Sequence, residues 1–134
     1  MRVFLVEDAL VIRQRLAKML ATLPGVEVIG EAEEVDDAIQ AIQRLRPDVV
    51  ILDLLLRKGT AFDVLAVIKK DPPAPVVILL TNFTHPLFRQ KCLEAGADFF
   101  FDKSTEFQQL PNVLLQLSRE RRHRCTSLSL RTDP

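Results

Sequence analysis

Val49-Val50-Ile51-Leu52-Asp53 joins four apolar, mostly β-branched residues directly to a carboxylate. A strand with one wet face alternates polar and apolar residues, and this run does not alternate, so both of its faces are covered. Such a strand belongs between two helical layers, with Asp53 projecting from its end. Residues 3–6, 26–29, 76–80 and 99–101 form four further runs of the same kind. The segments between them carry the helical period. Ile12, Leu16, Met19 and Leu20 share one face, as do Val35, Ile39 and Ile42, and Ala61, Val64, Leu65 and Ile68. Phe107, Leu110, Leu114 and Leu117 form the last apolar stripe. Pro111 lacks an N–H donor and fits only the first turn of that helix, which leaves residues 104–109 as a looser lead-in. Pro47 closes the second helix, Pro72, Pro73 and Pro75 follow the third, and His85-Pro86 opens the fourth.

Strands alternating with single helices predict an α/β fold of the (βα)5 kind, a doubly wound, five-stranded parallel sheet. In such sheets, sites form beyond the carboxyl ends of the strands, where the strand order reverses. The 134 residues suit one domain with a core large enough to need no disulfide or structural metal. We expect that domain over residues 1–120. At 121–134 we expect a basic, disordered tail, because apolar periodicity is lost there. The 18 basic and 18 acidic residues cancel, which gives no DNA-binding face; the arginines near residue 120 read as a cationic helix end. Cys92 and Cys125 form no disulfide framework and read as free thiols, and with His85 and His123 they match no zinc spacing. The apolar runs are too short to span a bilayer and the start has no signal-peptide pattern, so the expected location is the cytoplasm, away from membranes.

The strand ends carry the chemistry. The first ends in Glu7-Asp8, the third in Asp53, the fourth in Thr81-Asn82 and the fifth in Asp102-Lys103. Clustered carboxylates repel unless a hard cation or a lysine neutralises them, and oxygen-only ligands suit Mg2+. A phosphoryl group in transfer spreads charge over three oxygens, which a metal, a lysine and a hydroxyl donor can share; Lys103 and Thr81 supply the last two. Asp53, at the end of the most apolar run, is assigned as the nucleophile. The adjacent Glu7 and Asp8 suit metal ligation. Taken singly, Asp53 reads as a turn cap, Lys103 as a solvated surface lysine and Thr81 as a strand-end hydroxyl bonded to nearby backbone. Their convergence carries the functional reading. No G-x-G-x-x-G or Walker-type loop is present, which argues against a nucleotide or flavin binder.

Glu7-Asp8, Asp53 within Val50-Ile51-Leu52-Asp53-Leu54, Thr81, and Lys103 after Gly96-Ala97-Asp98-Phe99-Phe100-Phe101 stand in an order that resembles the receiver domain of bacterial two-component response regulators. The similarity runs from residue 2 to about 120 and is to the single-domain, chemotaxis-regulator kind. It implies a flavodoxin-like receiver fold and a phosphoryl group passed to Asp53 from a histidine kinase or histidine phosphotransfer protein. It further implies Mg2+ bound by Asp8 directly, by Glu7 through water, by Asp53 and by the backbone carbonyl of Leu55. Thr81 would move toward the phosphoryl group, Phe100 would swing inward behind it, and Lys103 would pair with the phosphoryl oxygens. The expected protein is then a signalling switch in a two-component system or phosphorelay, monomeric or weakly dimeric. It docks an unidentified downstream protein, is unlike a nucleic-acid binder, and performs no catalysis beyond its own phosphorylation and slow dephosphorylation. The alternatives are a receiver-like scaffold acting without phosphorylation and the receiver part of a truncated transcription factor. Ser104 stands where the family usually has proline, Arg57 likewise, Asn82 where a small residue is usual, and Phe100 lacks the frequent tyrosine hydroxyl. Gly59 matches a turn glycine of one subgroup.

Overall fold

A computed structural model describes residues 1–132, with side chains described through Arg121. Five parallel strands form the sheet: β1 (Arg2–Val6), β2 (Glu27–Ala32), β3 (Val49–Leu52), β6 (Val76–Thr81) and β7 (Phe99–Asp102). Between and after them run α1 (Leu10–Leu20), α2 (Val35–Leu45), α3 (Ala61–Ile68), α4 (Pro86–Glu94) and α5 (Leu110–Thr132). The order across the sheet is β2-β1-β3-β6-β7, so the winding reverses between β1 and β3. A crevice therefore opens above the ends of these two strands, as expected for a doubly wound flavodoxin-like sheet.

All four residues of β3 are buried, as the unbroken apolar run requires. Successive side chains point to opposite faces. Phe4, Val6, Val50, Leu52, Val77, Leu79 and Phe100 join Val35, Ile42, Val64 and Ile68 beneath α2 and α3, with Cys92 of α4 in the same layer. Val3, Leu5, Ile51, Ile78, Leu80 and Phe101 meet Leu16 and Leu20 of α1 and Leu110 and Leu114 of α5. The free Cys92 thiol is fully buried, and burial pushes its pKa up. Cys125 lies outside the residues whose side chains are described.

Several boundaries differ from the sequence reading for local reasons. β2 extends to Ala32 because, at the sheet edge, it tolerates Gly30 and Glu31 with a bulge opposite Val3 and Phe4. The loop after β3 contains an unanticipated antiparallel pair of two-residue strands, β4 (Leu55–Leu56) and β5 (Gly59–Thr60). Gly59 sits at φ 146, and a Cβ there would meet Val35 and Asp63 at 2.7 Å. The Asp63 carboxylate accepts from the Thr60 N–H at 3.0 Å and starts α3. Pro111 falls in the first turn of α5, preceded by a 3-10 turn, Phe107–Gln109. The α5 backbone stays helical to Thr132, past the residue-120 boundary and through most of the segment 121–134 expected to be disordered. The side chains of 122–132 and residues 133–134 lie outside the described residues. No helix of the described residues is long and apolar enough to cross a membrane.

Gly30 faces the ring of Phe4, and a Cβ built there would stand 2.7 Å from Cε2. Replacing it overpacks the β1–β2 contact. Gly30→Ala is expected to lower stability by about 1–3 kcal/mol, read as a lower urea midpoint with an unchanged m-value.

Candidate functional site

Three polar residues at the sheet's carboxyl edge are each held by a backbone hydrogen bond that continues a strand ladder. The Glu7 N–H donates to the Ala32 carbonyl at 3.0 Å, Asp53 N–H to the Val6 carbonyl at 3.1 Å, and Lys103 N–H to the Thr81 carbonyl at 3.0 Å. The backbone of β1, β3 and β7 thus aims three side chains from distant segments at one point. Lys103 Nζ lies 2.7 Å from Asp53 Oδ2 and 2.6 Å from Glu7 Oε2. Asp53 Oδ1 accepts from the Leu54 N–H at 2.7 Å, and Glu7 Oε1 from the Ala9 N–H at 3.1 Å. The side chains of Glu7, Asp53 and Lys103 are about nine-tenths buried or more. A buried ion pair needs its remaining hydrogen-bonding positions filled, and here backbone donors do so.

Asp8 is exposed, and its carboxylate completes a cluster with Glu7 and Asp53 whose candidate ligand oxygens all lie within 4.8 Å of one another. Three carboxylates against one ammonium leave two negative charges. The donor set is oxygen only, and a hard divalent ion such as Mg2+ fits that charge and those ligands. Among the described residues this is the one such cluster of acidic, histidine or cysteine groups. Leu55 lies two residues beyond Asp53, at the start of β4, with its side chain 44% exposed.

Burial raises the Glu7 pKa above 4.5; the neighbouring Asp53 charge adds to the rise, and the Lys103 ammonium opposes it. For Lys103 burial works in the lowering direction, but its hydrogen bonds to Asp53 and Glu7, and their charges, outweigh it and raise the value above 10.5. The two carboxylates therefore keep the amine charged, while burial, with the Asp53 charge beside it, makes Glu7 harder to ionise.

Thr81 is fully buried, and its Oγ1 accepts from the Phe83 N–H at 3.2 Å, the local backbone bond of a strand-end hydroxyl. Phe100 is buried in the α2–α3 layer, with the Arg89 guanidinium 6.0 Å from its ring centre. Phe101 is buried as well and stacks on half-buried Phe99. Two departures from the family pattern touch each other: Ser104 Oγ lies 3.3 Å from Asn82 Oδ1, linking the loops after β6 and β7. The Ser104 N–H, which a proline would lack, donates to Asp102 Oδ1 at 2.7 Å, and the Lys103–Ser104 peptide is trans. From Asn82 to Gln90 the chain is exposed, including Phe83, Leu87 and Phe88.

Arg13 escaped the sequence reading. It lies on the buried stripe of α1 with Leu16 and Leu20, three and seven residues on. A charge inside an apolar helix face was the available signal, since arginine is almost never buried without a partner. Its guanidinium donates to the Glu7 carbonyl at 2.8 Å and pairs with Glu33 at 2.9 Å.

The fold is shared with known proteins. A family model described as the response regulator receiver domain matches residues 3–115. Response regulator protein VraR of Staphylococcus aureus is 30% identical over 118 residues, which cover 88% of this chain and 56% of that protein. The chain spans about half the length of the curated relatives it matches. The crystal structure of the response regulator domain of Thermotoga maritima CheB superposes with a TM-score of 0.77 at 27% identity, covering 90% of this chain and 94% of that one. A structure described as a DNA-binding response regulator of the LuxR family from Staphylococcus aureus gives 0.80 at 25% identity, covering 87% and 98%.

The Glu7 shift has a measurable sign. A carboxylic acid whose folded pKa is raised binds its proton more tightly in the native state, so stability falls as pH rises from 4.5 through the folded value. Without divalent ions, Glu7→Gln is expected to remove that part of the slope. Urea midpoints should show the variant gaining on the wild type between pH 4.5 and 7.5, and adding Mg2+ should reverse the advantage.

Proposed function

Since the chain belongs to the response regulator receiver domain family, we propose that it is a phosphoacceptor switch of a two-component system or phosphorelay, with Asp53 as the acceptor. The observation that carries this reading is the buried Lys103 ammonium 2.7 Å from Asp53 Oδ2. It sets a positive charge beside the carboxylate at the end of the central strand, whose other oxygen is held by the Leu54 N–H.

Asp53 Oδ2 attacks the phosphorus of a phosphohistidine in a histidine kinase or phosphotransfer protein; the P–N bond breaks and an acyl phosphate forms. Lys103 then turns from the carboxylate to a phosphoryl oxygen and neutralises charge as it moves. Glu7, Asp8, Asp53 and the Leu55 carbonyl would hold Mg2+, which supplies charge neutralisation for the transferring group. Thr81 would give up the Phe83 N–H for a phosphoryl oxygen, and Phe100 would settle into the space behind it. A cavity of about 420 Å3 lined by Arg15, Asn82, Lys103 and Phe107 lies on the Lys103 side of the site. The exposed segment around Phe83 and Phe88 would carry the change to a protein target. On this reading the chain works in the cytoplasm, as a monomer or weak dimer, and catalyses only its own phosphorylation and dephosphorylation. The greater length of the matched relatives favours a second reading with the same site chemistry, the receiver part of a transcription factor.

Incubation with Mg2+ and a small acyl-phosphate donor should add the mass of one phosphoryl group, and Asp53→Asn should abolish the increment. A wild type that takes up nothing from a small donor or a kinase would overturn the reading in favour of an unphosphorylated scaffold. Leu55 offers no polar group to orient an attacking water, so the phosphorylated form should be long-lived. Leu55→Asn is expected to shorten its lifetime by about ten-fold, less than a fully positioned proton acceptor contributes, as read from the decay of the intact mass.

A further inference from the structure

We infer that Arg13 is a positioning residue for the divalent-cation site, acting by clamping the turn that carries Glu7 and Asp8. This rests on the receiver reading of the acidic cluster and extends it to a residue outside that cluster. The Arg13 side chain grips the turn Glu7-Asp8-Ala9: its Nη1 donates to the Glu7 carbonyl at 2.8 Å in a buried contact. Asp8 itself makes no side-chain hydrogen bond or ion pair among the described residues, so the direction of its carboxylate follows from the backbone of this turn alone.

The grip continues outward. Glu33 Oε1 meets Arg13 at 2.9 Å, and its Oε2 lies 3.4 Å from Arg57, in the loop after Asp53. One chain of contacts thus joins the turn bearing Glu7 and Asp8 to the loop bearing Leu55, the two walls between which the cation would sit. Arg13 also lines a polar cavity of about 560 Å3 with Glu33, Gln40 and Arg44, where its head could be hydrated. Instead the residue is 92% buried, and its Nε finds no acceptor among the described residues. The buried contact with the Glu7 carbonyl holds the turn from behind, and groups that orient metal ligands in this way set affinity without touching the ion.

The test measures Mg2+ binding by calorimetry, beside thermal melts without Mg2+, for the wild type, Arg13→Met, Arg13→Lys and Glu33→Gln. Arg13→Met keeps the apolar stem and removes the donors, and should weaken Mg2+ binding by about ten-fold or more. Arg13→Lys restores one donor and should recover part of the loss, which a purely steric role would not predict. The Ala9 amide resonance of the Mg2+-free protein should shift in Arg13→Met and move back in Arg13→Lys. Arg13→Met binding as tightly as the wild type overturns the inference, as does a wild type that binds no Mg2+. If Arg13→Met does not fold, Glu33→Gln decides: weaker binding supports the clamp and unchanged binding overturns it. Phosphoryl uptake by the wild type is scored separately. Its failure beside an intact Arg13 effect on Mg2+ sinks the switch reading alone.

Discussion

The ammonium of Lys103, held between Glu7 and Asp53 at the carboxyl edge of the sheet, is the contact on which the rest of the site depends. Three segments far apart in sequence bring two carboxylates and an amine into a nearly dry space. Each is carried there by a rigid strand rather than a loop, through backbone bonds to Ala32, Val6 and Thr81. Removing the amine would leave two buried negative charges facing each other, a more costly state than the open pair in water. The amine is therefore needed for the folded site to exist, and the same charge is available for a newly bound anionic group.

The excess negative charge that remains matters equally. Glu7 is held back from full ionisation by burial and by Asp53, and the exposed Asp8 completes an oxygen cluster. The carboxylates outnumber the ammonium, which leaves this site net negative, unlike a salt bridge that closes on itself.

The fold was legible because its signals repeat. Unbroken apolar strands, amphipathic helices and prolines at helix borders all demand the same layered sheet, and the reversal between β1 and β3 brings Glu7, Asp8 and Asp53 to one crevice. The convergence of Lys103 was legible too, since polar residues at the ends of parallel strands share one edge. The pair of strands at Leu55–Leu56 and Gly59–Thr60 was not, because two-residue ladders leave no periodic trace. Arg13 was missed for another reason: apolar periodicity averages over a charged residue, and only coordinates show that its donors turn inward to the Glu7 carbonyl. The partnership of Asn82 with Ser104 was equally hidden, as each position looks like an unrelated exception until the two loops are seen side by side.

Thr81 Oγ1 is fully enclosed and already occupied by the N–H of Phe83. Carrying that oxygen toward Asp53 would strip the amide of its acceptor just where the chain enters the solvent-facing stretch before α4. On the proposed function the hydroxyl would let go of that entrance as it turned to the anion. Chemistry at the sheet edge would then be felt where the chain turns outward toward α4.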